Sequence, residues 1–357
     1  MYPRLVIDLK KLENNARELV RLAGEQGVTD VAFVTKVFAA QPEMVRAVAK
    51  SGCRYLADSR TQNLATYADA GKERILLRVA MPSEAAAVAE HAEISFQSEE
   101  KTLRAINEAA GKAGKRHKVV LMIDLGDLRE GIFFRDREKI METVALVEES
   151  PNLILYGAAF NVTCYGSVLP TEENLGVFME IVEAIEAKIH RKLELISGGN
   201  SSSIVLMRSG KMPKRVNNLR LGEALVLGRE TAYEQDLPEL CQDPVILEAE
   251  VVEVQTKPSH PVGELGVNAF GEKMTYEDIG DRRRAICAIG RQDMDCDNLT
   301  PREKGVTVVG ASSDHLILDV TDCPQPVAVG DVLSFRMSYG ALLRGFTSKY
   351  VSRAYFD

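Results

Sequence analysis

Residues 31–57, VAFVTKVFAAQPEMVRAVAKSGCRYLA, decide the fold. Val31–Val34 is a short apolar run, Pro42–Lys50 is amphipathic at helical spacing, and Tyr55–Ala57 is a second apolar run. A strand, a helix and a strand therefore follow one another, and the alternation continues. Strand-like runs recur at Ile75–Val79, Ile94–Phe96, Val119–Ile123, Leu153–Phe160, Leu193–Ile196 and Leu219–Val226. Helix-like, Ala/Glu/Lys-rich segments such as Thr61–Ala70 and Glu99–Ala113 lie between them. Eight strands separated by helices predict an α/β fold, a (β/α)8 TIM-like barrel, with an open doubly wound sheet as the alternative.

Outward from this core the texture changes. Leu5–Leu9 reads as a strand and Lys10–Ala23 as a helix with apolar residues at helical spacing. Beyond Pro238 helical periodicity fades. Ile246–Val254, Arg284–Ile289, Val306–Val309, His315–Val320 and Val332–Met337 are strand-like and separated by Gly, Pro, Asp and Asn. The pattern predicts a barrel over residues 10–239 and a mainly β C-terminal domain over residues 240–357. Residues 1–9 form a strand expected to join the β domain, because a barrel needs no strand before its first helix.

Composition narrows the function. The chain has 357 residues, 45% hydrophobic and 27% charged, the balance of a globular protein with a sizeable core. A net charge of -8 and the absence of a long basic block argue against nucleic acid as partner. The six cysteines form no CxxC pair and the five histidines no HExxH motif, so neither a metal site nor a disulfide framework is expected. The N-terminal MYPRLVIDLKK lacks the apolar run of a signal peptide, and no stretch approaches the roughly 20 apolar residues of a membrane span. A cytoplasmic protein without a membrane partner is the expectation.

In such a barrel the reactive groups sit at the C-terminal ends of the strands. The first strand ends in VAFVTK and sets Lys36 at its edge. An apolar mouth disfavours the charged ammonium, which makes the amine available for a Schiff base; a lysine snorkelling to solvent is the bland reading. After the fifth strand, LGDLREG carries Arg129, whose guanidinium can grip a substrate carboxylate or pair with Asp127 or Glu130. The sixth strand ends in GAAFNVTCYG, with Asn161, Thr163, Cys164 and Tyr165 at its mouth. The seventh ends in LISGGNSSSI, whose glycines, Asn200 and Ser201 suit a phosphate cradle or an ordinary turn. The eighth, NLRLGEALVLG, contains Arg220 followed by Gly222 and Glu223, where barrels also bind phosphate. A lysine, a carboxylate grip and a phosphate cradle on one rim describe pyridoxal 5′-phosphate (PLP) bound to an amino acid.

The ordered motifs VTK, LREG, FNVTCYG, SGGNS and LRLGE, followed by a β domain, resemble the alanine racemase family of PLP enzymes (fold type III), and within it the alanine/ornithine racemase branch. The resemblance spans essentially the whole chain. It implies a barrel plus β domain acting as a homodimer with shared active sites. It implies Lys36 as the PLP lysine, Arg129 on the substrate carboxylate and Asn161 against the cofactor ring. Ser201 and the Gly222–Glu223 backbone fall on the phosphate, as does the hydroxyl of Tyr339 in SYGALL, which otherwise reads as a packed sheet residue. The resemblance also implies that Arg220 faces the ring nitrogen. A permanent cation there keeps that nitrogen unprotonated and favours racemisation, whereas related decarboxylases place a glutamate at this position.

The sequence also departs from the family. Ala40 stands where a tyrosine follows the lysine, and Met122 where a modified lysine supports the arginine. In VGELGVNAFG, Phe270 offers no proton where a catalytic tyrosine is expected. GRQDMDCDNLT supplies Cys296 as a candidate opposite-face acid and Asp297 as a partner for a basic side chain, with a plain turn as the alternative; Tyr165 is a further candidate acid. The expected activity is racemisation of ornithine, another basic amino acid or alanine. Decarboxylation and a non-catalytic PLP carrier are the alternatives.

Overall fold

The structure is a computed structural model describing residues 1–67 and 70–357. It divides into two compact units, one of Leu9–Gln242 and one of Met1–Asp8 with Asp243–Asp357.

Strand β1 (Arg4–Asp8) belongs to the second unit. The first contains β2 (Asp30–Val34), β3 (Tyr55–Asp58), β4 (Glu73–Leu76), β5 (Ile94–Gln97), β6 (His117–Asp124), β7 (Ile132–Phe133), β8 (Leu153–Phe160), β9 (Leu195–Ser197) and β10 (Asn218–Leu221). Eight of these run parallel in the order β2-β3-β4-β5-β6-β8-β9-β10. Arg220 of β10 lies opposite Ala32 of β2, and Phe96 of β5 opposite Val120 of β6. These pairings close the ring, so the sheet is a barrel and not the open alternative. The two-residue β7 pairs onto β6. The helices are α1 (Leu9–Glu25), α2 (Pro42–Ala49), α3 (Thr61–Thr66), α4 (Ala85–His91), α5 (Glu100–Lys112), α6 (Arg137–Glu149), α7 (Glu172–Ile189), α8 (Ile204–Arg208) and α9 (Glu223–Leu227). Residues 68 and 69 of the helix expected over Thr61–Ala70 lie outside the described residues.

Ala32 with Val34, Tyr55 with Ala57, Ile94 with Phe96 and Val120 with Met122 are each two residues apart, and all join one buried cluster. Two-residue spacing puts each pair on one side of its strand, so this cluster is the barrel interior. The intervening Val31, Phe33, Leu56, Val119 and Leu121 are buried on the other side. Burial on both faces is why these strands read as unbroken apolar runs.

Two runs differ from their sequence reading. The strand expected over Ile75–Val79 is displaced to Glu73–Leu76. The strand expected over Leu219–Val226 stops at Leu221, and its second half is α9. Ala224, Leu225, Val226 and Leu227 are all buried, so the run carries no helical period that would mark it in the sequence. The chain turns at Gly222, where a Cβ would come within 3.1 Å of the Val34 Cβ.

The second unit holds β11 (Val245–Pro258), β12 (Asp281–Cys287), β13 (Leu299–Pro301), β14 (Thr307–Ala311), β15 (Leu316–Asp319), β16 (Val332–Met337), α10 (Tyr339–Thr347) and β17 (Ser352–Phe356). The antiparallel order is β13-β16-β11-β12-β15-β14. β1 pairs with β11 on one side and β17 on the other. It buries Leu5 and Ile7, while Arg4 pairs with Glu248 at 2.7 Å. Tyr339 does not lie in a strand. It opens α10, which Ser338 caps by accepting from the Ala341 N–H.

Candidate active site

Lys36 stands on a 3-10 turn, Thr35–Phe38, directly after β2. The turn closes through Ala39 and Ala40, both left-handed at φ 46° and 51°, whose N–H groups bond to the Lys36 and Thr35 carbonyls. Successive left-handed non-glycine residues are costly and persist only where the surroundings hold them. Thr35 Oγ1 is one anchor. It donates to Asp58 Oδ2 at 2.7 Å and lies 3.2 Å from the Tyr67 hydroxyl. Asp58 is buried at the end of β3 and also accepts from Asn63 Nδ2 and Arg60 N. Burial pushes its carboxyl up, against these hydrogen bonds.

Burial likewise pulls the Lys36 ammonium below the usual lysine range. Nearby Cys164, Asp58 and Glu130 oppose this, and Arg129 adds to it. Arg220 feels Glu130, Cys164 and Arg129 as well. Lys36, Arg129, Glu130, Cys164 and Arg220 therefore share one rim of the barrel.

Arg220 is buried. Its Nη1 donates to Ser197 Oγ at 2.7 Å, and its Nη2 to the Phe160 carbonyl at 2.7 Å and Asn161 Oδ1 at 3.2 Å. The guanidinium lies 5.2 Å from the Phe96 ring centroid. Burial lowers its pKa to about 10, which leaves it a cation at neutral pH. Asn161 Oδ1 also accepts from Asn200 Nδ2 at 3.0 Å, while the Asn161 Nδ2 donor is buried without a partner.

The cradle after β9 is a 3-10 turn, Ser201–Ser203, capped by Asn200, which accepts from Ser202 N at 2.8 Å. Ser201, the serine singled out in the sequence, spends its hydroxyl oxygen on the Ala224 N–H at 3.2 Å. Its neighbours Ser202 and Ser203 are the ones with buried hydroxyls lacking a partner. Gly199, at φ +102°, holds the backbone where a Cβ would meet Ser203 Oγ at 2.5 Å. Gly222 precedes α9, and the Glu223 carboxylate accepts from Thr231 Oγ1 at 3.1 Å.

The Arg129 side chain is 41% exposed and paired with Glu130. Asp127, the other expected partner, is buried and instead accepts backbone N–H groups from residues 163–168. Cys164 and Tyr165 on that loop are exposed, Tyr165 to 73%. Asn200 Nδ2 lies 3.4 Å from Cys164 Sγ.

The remaining candidates lie in the sheet unit. Cys296 is fully buried, and burial pushes its thiol up to about 12, with Arg291 opposing. A thiol so placed is a poor candidate for the opposite-face acid. Asp297 is gripped by Arg291 through two bonds of 2.6 and 2.8 Å, and Arg291 lies 5.3 Å from the Phe270 ring centroid. VGELGVNAFG and GRQDMDCDNLT, far apart in sequence, thus meet in one cluster. Tyr339 is half-buried.

Residues 7–230 match the family model described as alanine racemase, N-terminal domain. The chain belongs to the alanine racemase family. Among curated members it is 44% identical over 353 residues to the ornithine racemase of Acetoanaerobium sticklandii, covering 99% of each chain. It is 40% identical over 357 residues to the lysine racemase of Thermotoga maritima, again covering 99% of each. Among solved structures, the alanine racemase of Bartonella henselae with covalently bound pyridoxal phosphate superposes with a TM-score of 0.73 at 17% identity, covering 99% of both chains.

Within the alanine racemase family this chain's departures now have surroundings. Ala40 ends the strained turn after Lys36, and Met122 packs in the barrel interior. Sequence reasoning missed Asp127 as the centre of a loop and Ser202 and Ser203 as the unsatisfied hydroxyls. The serine run gave a usable signal for the latter; nothing local did for the former.

Proposed function

We propose that this member of the alanine racemase family is a PLP-dependent racemase of a basic amino acid, ornithine or lysine, with Lys36 as the cofactor lysine. The enzyme is an isomerase, as its racemase relatives are. The observation that carries the cofactor assignment is the buried Asn161 Nδ2 donor without a partner, on a residue whose Oδ1 accepts from Arg220 at the rim that carries Lys36; the unpartnered Ser202 and Ser203 hydroxyls lie in the turn after β9. Orphaned buried donors are costly unless a ligand supplies acceptors. At Gly199 and Gly222 the adjoining backbone packs closely on Ser203 and on Val34, which fixes the shape of the two turns. These residues fit a ring with a phosphate arm. The Bartonella henselae relative, whose PLP is covalently bound, supports the same reading.

The cofactor supplies an electron-withdrawing ring that makes the Cα proton of an amino acid removable. The chain supplies the rest. Lys36 holds the group and, with its pKa lowered by burial, moves a proton between its Nζ and one face of Cα. Tyr165, exposed on the neighbouring loop, is our choice for the acid/base on the other face; buried Cys296 suits that role less well. Arg129 grips the substrate carboxylate. Arg220 remains cationic and withholds a proton from the ring nitrogen, which favours return of the Cα proton over other outcomes. The Gly222 and Glu223 N–H groups, at the start of α9, complete the phosphate contacts. Identity of 44% and 40% over the full chain to ornithine and lysine racemases supports a basic substrate. The six free cysteines suit the reducing cytoplasm. A homodimer with shared sites is part of the same reading.

The test is chiral analysis of the PLP-loaded protein with each enantiomer of ornithine, lysine and alanine. Interconversion fastest for ornithine or lysine is expected; release of carbon dioxide without interconversion would replace the racemase with a decarboxylase. If Asp297 meets the distal amine, Asp297→Ala raises KM for ornithine far more than for alanine, and equal effects end that role.

A further inference from the structure

Asp127 is fully buried, and its carboxylate is occupied by main-chain donors. Oδ1 accepts from Thr163 N and Val168 N, both at 3.1 Å. Oδ2 accepts from Cys164 N at 3.2 Å and Tyr165 N at 3.0 Å. The Asp127 carbonyl accepts a fifth N–H, from Gly166, at 3.1 Å. The loop is shaped for this embrace. Thr163 and Ser167 are left-handed, at φ 61° and 55°, and Thr163 Oγ1 closes the ring by donating to the Val168 carbonyl at 2.7 Å. At residue 166 a Cβ would stand 2.7 Å from the Asp127 carbonyl oxygen, so glycine is required there. Asn200 tethers the same loop from the other side, donating to the Val162 carbonyl at 3.0 Å.

A carboxylate side chain offers acceptor sites on two oxygens for these four donors; an amide of the same shape offers one oxygen and adds two donors. Charge-assisted bonds to backbone N–H groups are also the stronger kind. Asp127 lies two residues before Arg129, and the loop it gathers carries Cys164 and Tyr165.

We propose that Asp127 is a positioning residue, which locks the Arg129 turn and the 163–168 loop into one piece and so fixes Tyr165 relative to the carboxylate grip. Its catalytic consequence rests on the function proposed above; the clamp itself does not.

Two measurements on the full-length protein separate these parts. The first is hydrogen exchange without cofactor or substrate. In Asp127→Asn and Asp127→Ala, amides of residues 163–168 exchange at least about tenfold faster, while β6 and β8 keep wild-type protection as the control for folding. Unchanged loop exchange overturns the clamp whatever the protein's activity. The second is a kinetic cycle with PLP present, using Asp127→Asn, which preserves size, and Tyr165→Phe. Asp127→Asn lowers kcat by about tenfold or more in the wild-type background, but by less than about twofold once Tyr165 is already Phe, because coupled residues are not additive. Equal losses in the two backgrounds overturn the positioning role. A wild-type protein that racemises no amino acid rejects the functional reading, and the exchange result alone then decides the clamp.

Discussion

Arg220 joins three acceptors, Ser197 Oγ, the Phe160 carbonyl and Asn161 Oδ1. The planar fork of a guanidinium matches that triangle, and an ammonium does not. Arg220→Lys is expected to cost about 1–3 kcal/mol of stability, since at least one buried acceptor is left unmet. Urea unfolding measures it, and an unchanged midpoint contradicts the assignment. At this scale the sequence was uneven in what it disclosed. Lys36 and Arg220 were legible because strand ends locate the rim of a barrel. Asp127 was not, because an acid two residues from Arg129 reads as an ion pair. The N–H groups it captures lie 36 to 41 residues further along the chain. Ser201 was legible as part of the turn after β9, but which two of three adjacent hydroxyls stay unpaired depends on α9 docking against that turn.

Among the elements, β6 begins with a histidine that couples strand pairing to pH. His117 is buried, with Nε2 2.8 Å from Ser95 Oγ on β5. Burial lowers its pKa to about 4, with Glu93 opposing and Lys115 adding to the effect. In the unfolded chain a histidine titrates near 6.5. Between these values the unfolded chain binds more protons, so stability rises with pH across the window and falls as pH drops from 6.5 toward 4. The loss is on the order of 2–3 kcal/mol by pH 4.5. Urea unfolding at pH 7 and pH 4.5 is expected to show a smaller loss for His117→Gln than for the wild type; equal losses contradict the linkage. The strands themselves were readable where two-sided burial makes continuous apolar runs, as in β6 and β8. That same burial hid α9, whose apolar residues face inward all round. It was the local turn at Gly222, packed on Val34, that ended the strand.

For the whole molecule, the closed parallel ring and the antiparallel sheet follow from a change in periodicity that the sequence shows plainly near Pro238. Partnership is harder to read from pattern, since an exposed apolar side chain has no period. The segment between β11 and β12 exposes Val262 to 91% and Val267 to 67%, with Phe270 and Ile279 also exposed. Apolar exposure concentrated on one segment marks an interaction surface, and the dimer reading supplies a second copy as its cover. The proposed homodimer with shared sites predicts that Val262→Asp combined with Val267→Asp converts a dimer to a monomer in sedimentation and lowers racemisation by at least about tenfold. A variant that stays dimeric and active places the interface elsewhere.

The most direct test of the central claim is to find where the cofactor attaches. Protein loaded with PLP is reduced with borohydride, digested and analysed by mass spectrometry. One cofactor per chain is expected on the peptide that contains Lys36, and none in Lys36→Ala. Attachment at another lysine, or no attachment at all, would contradict it.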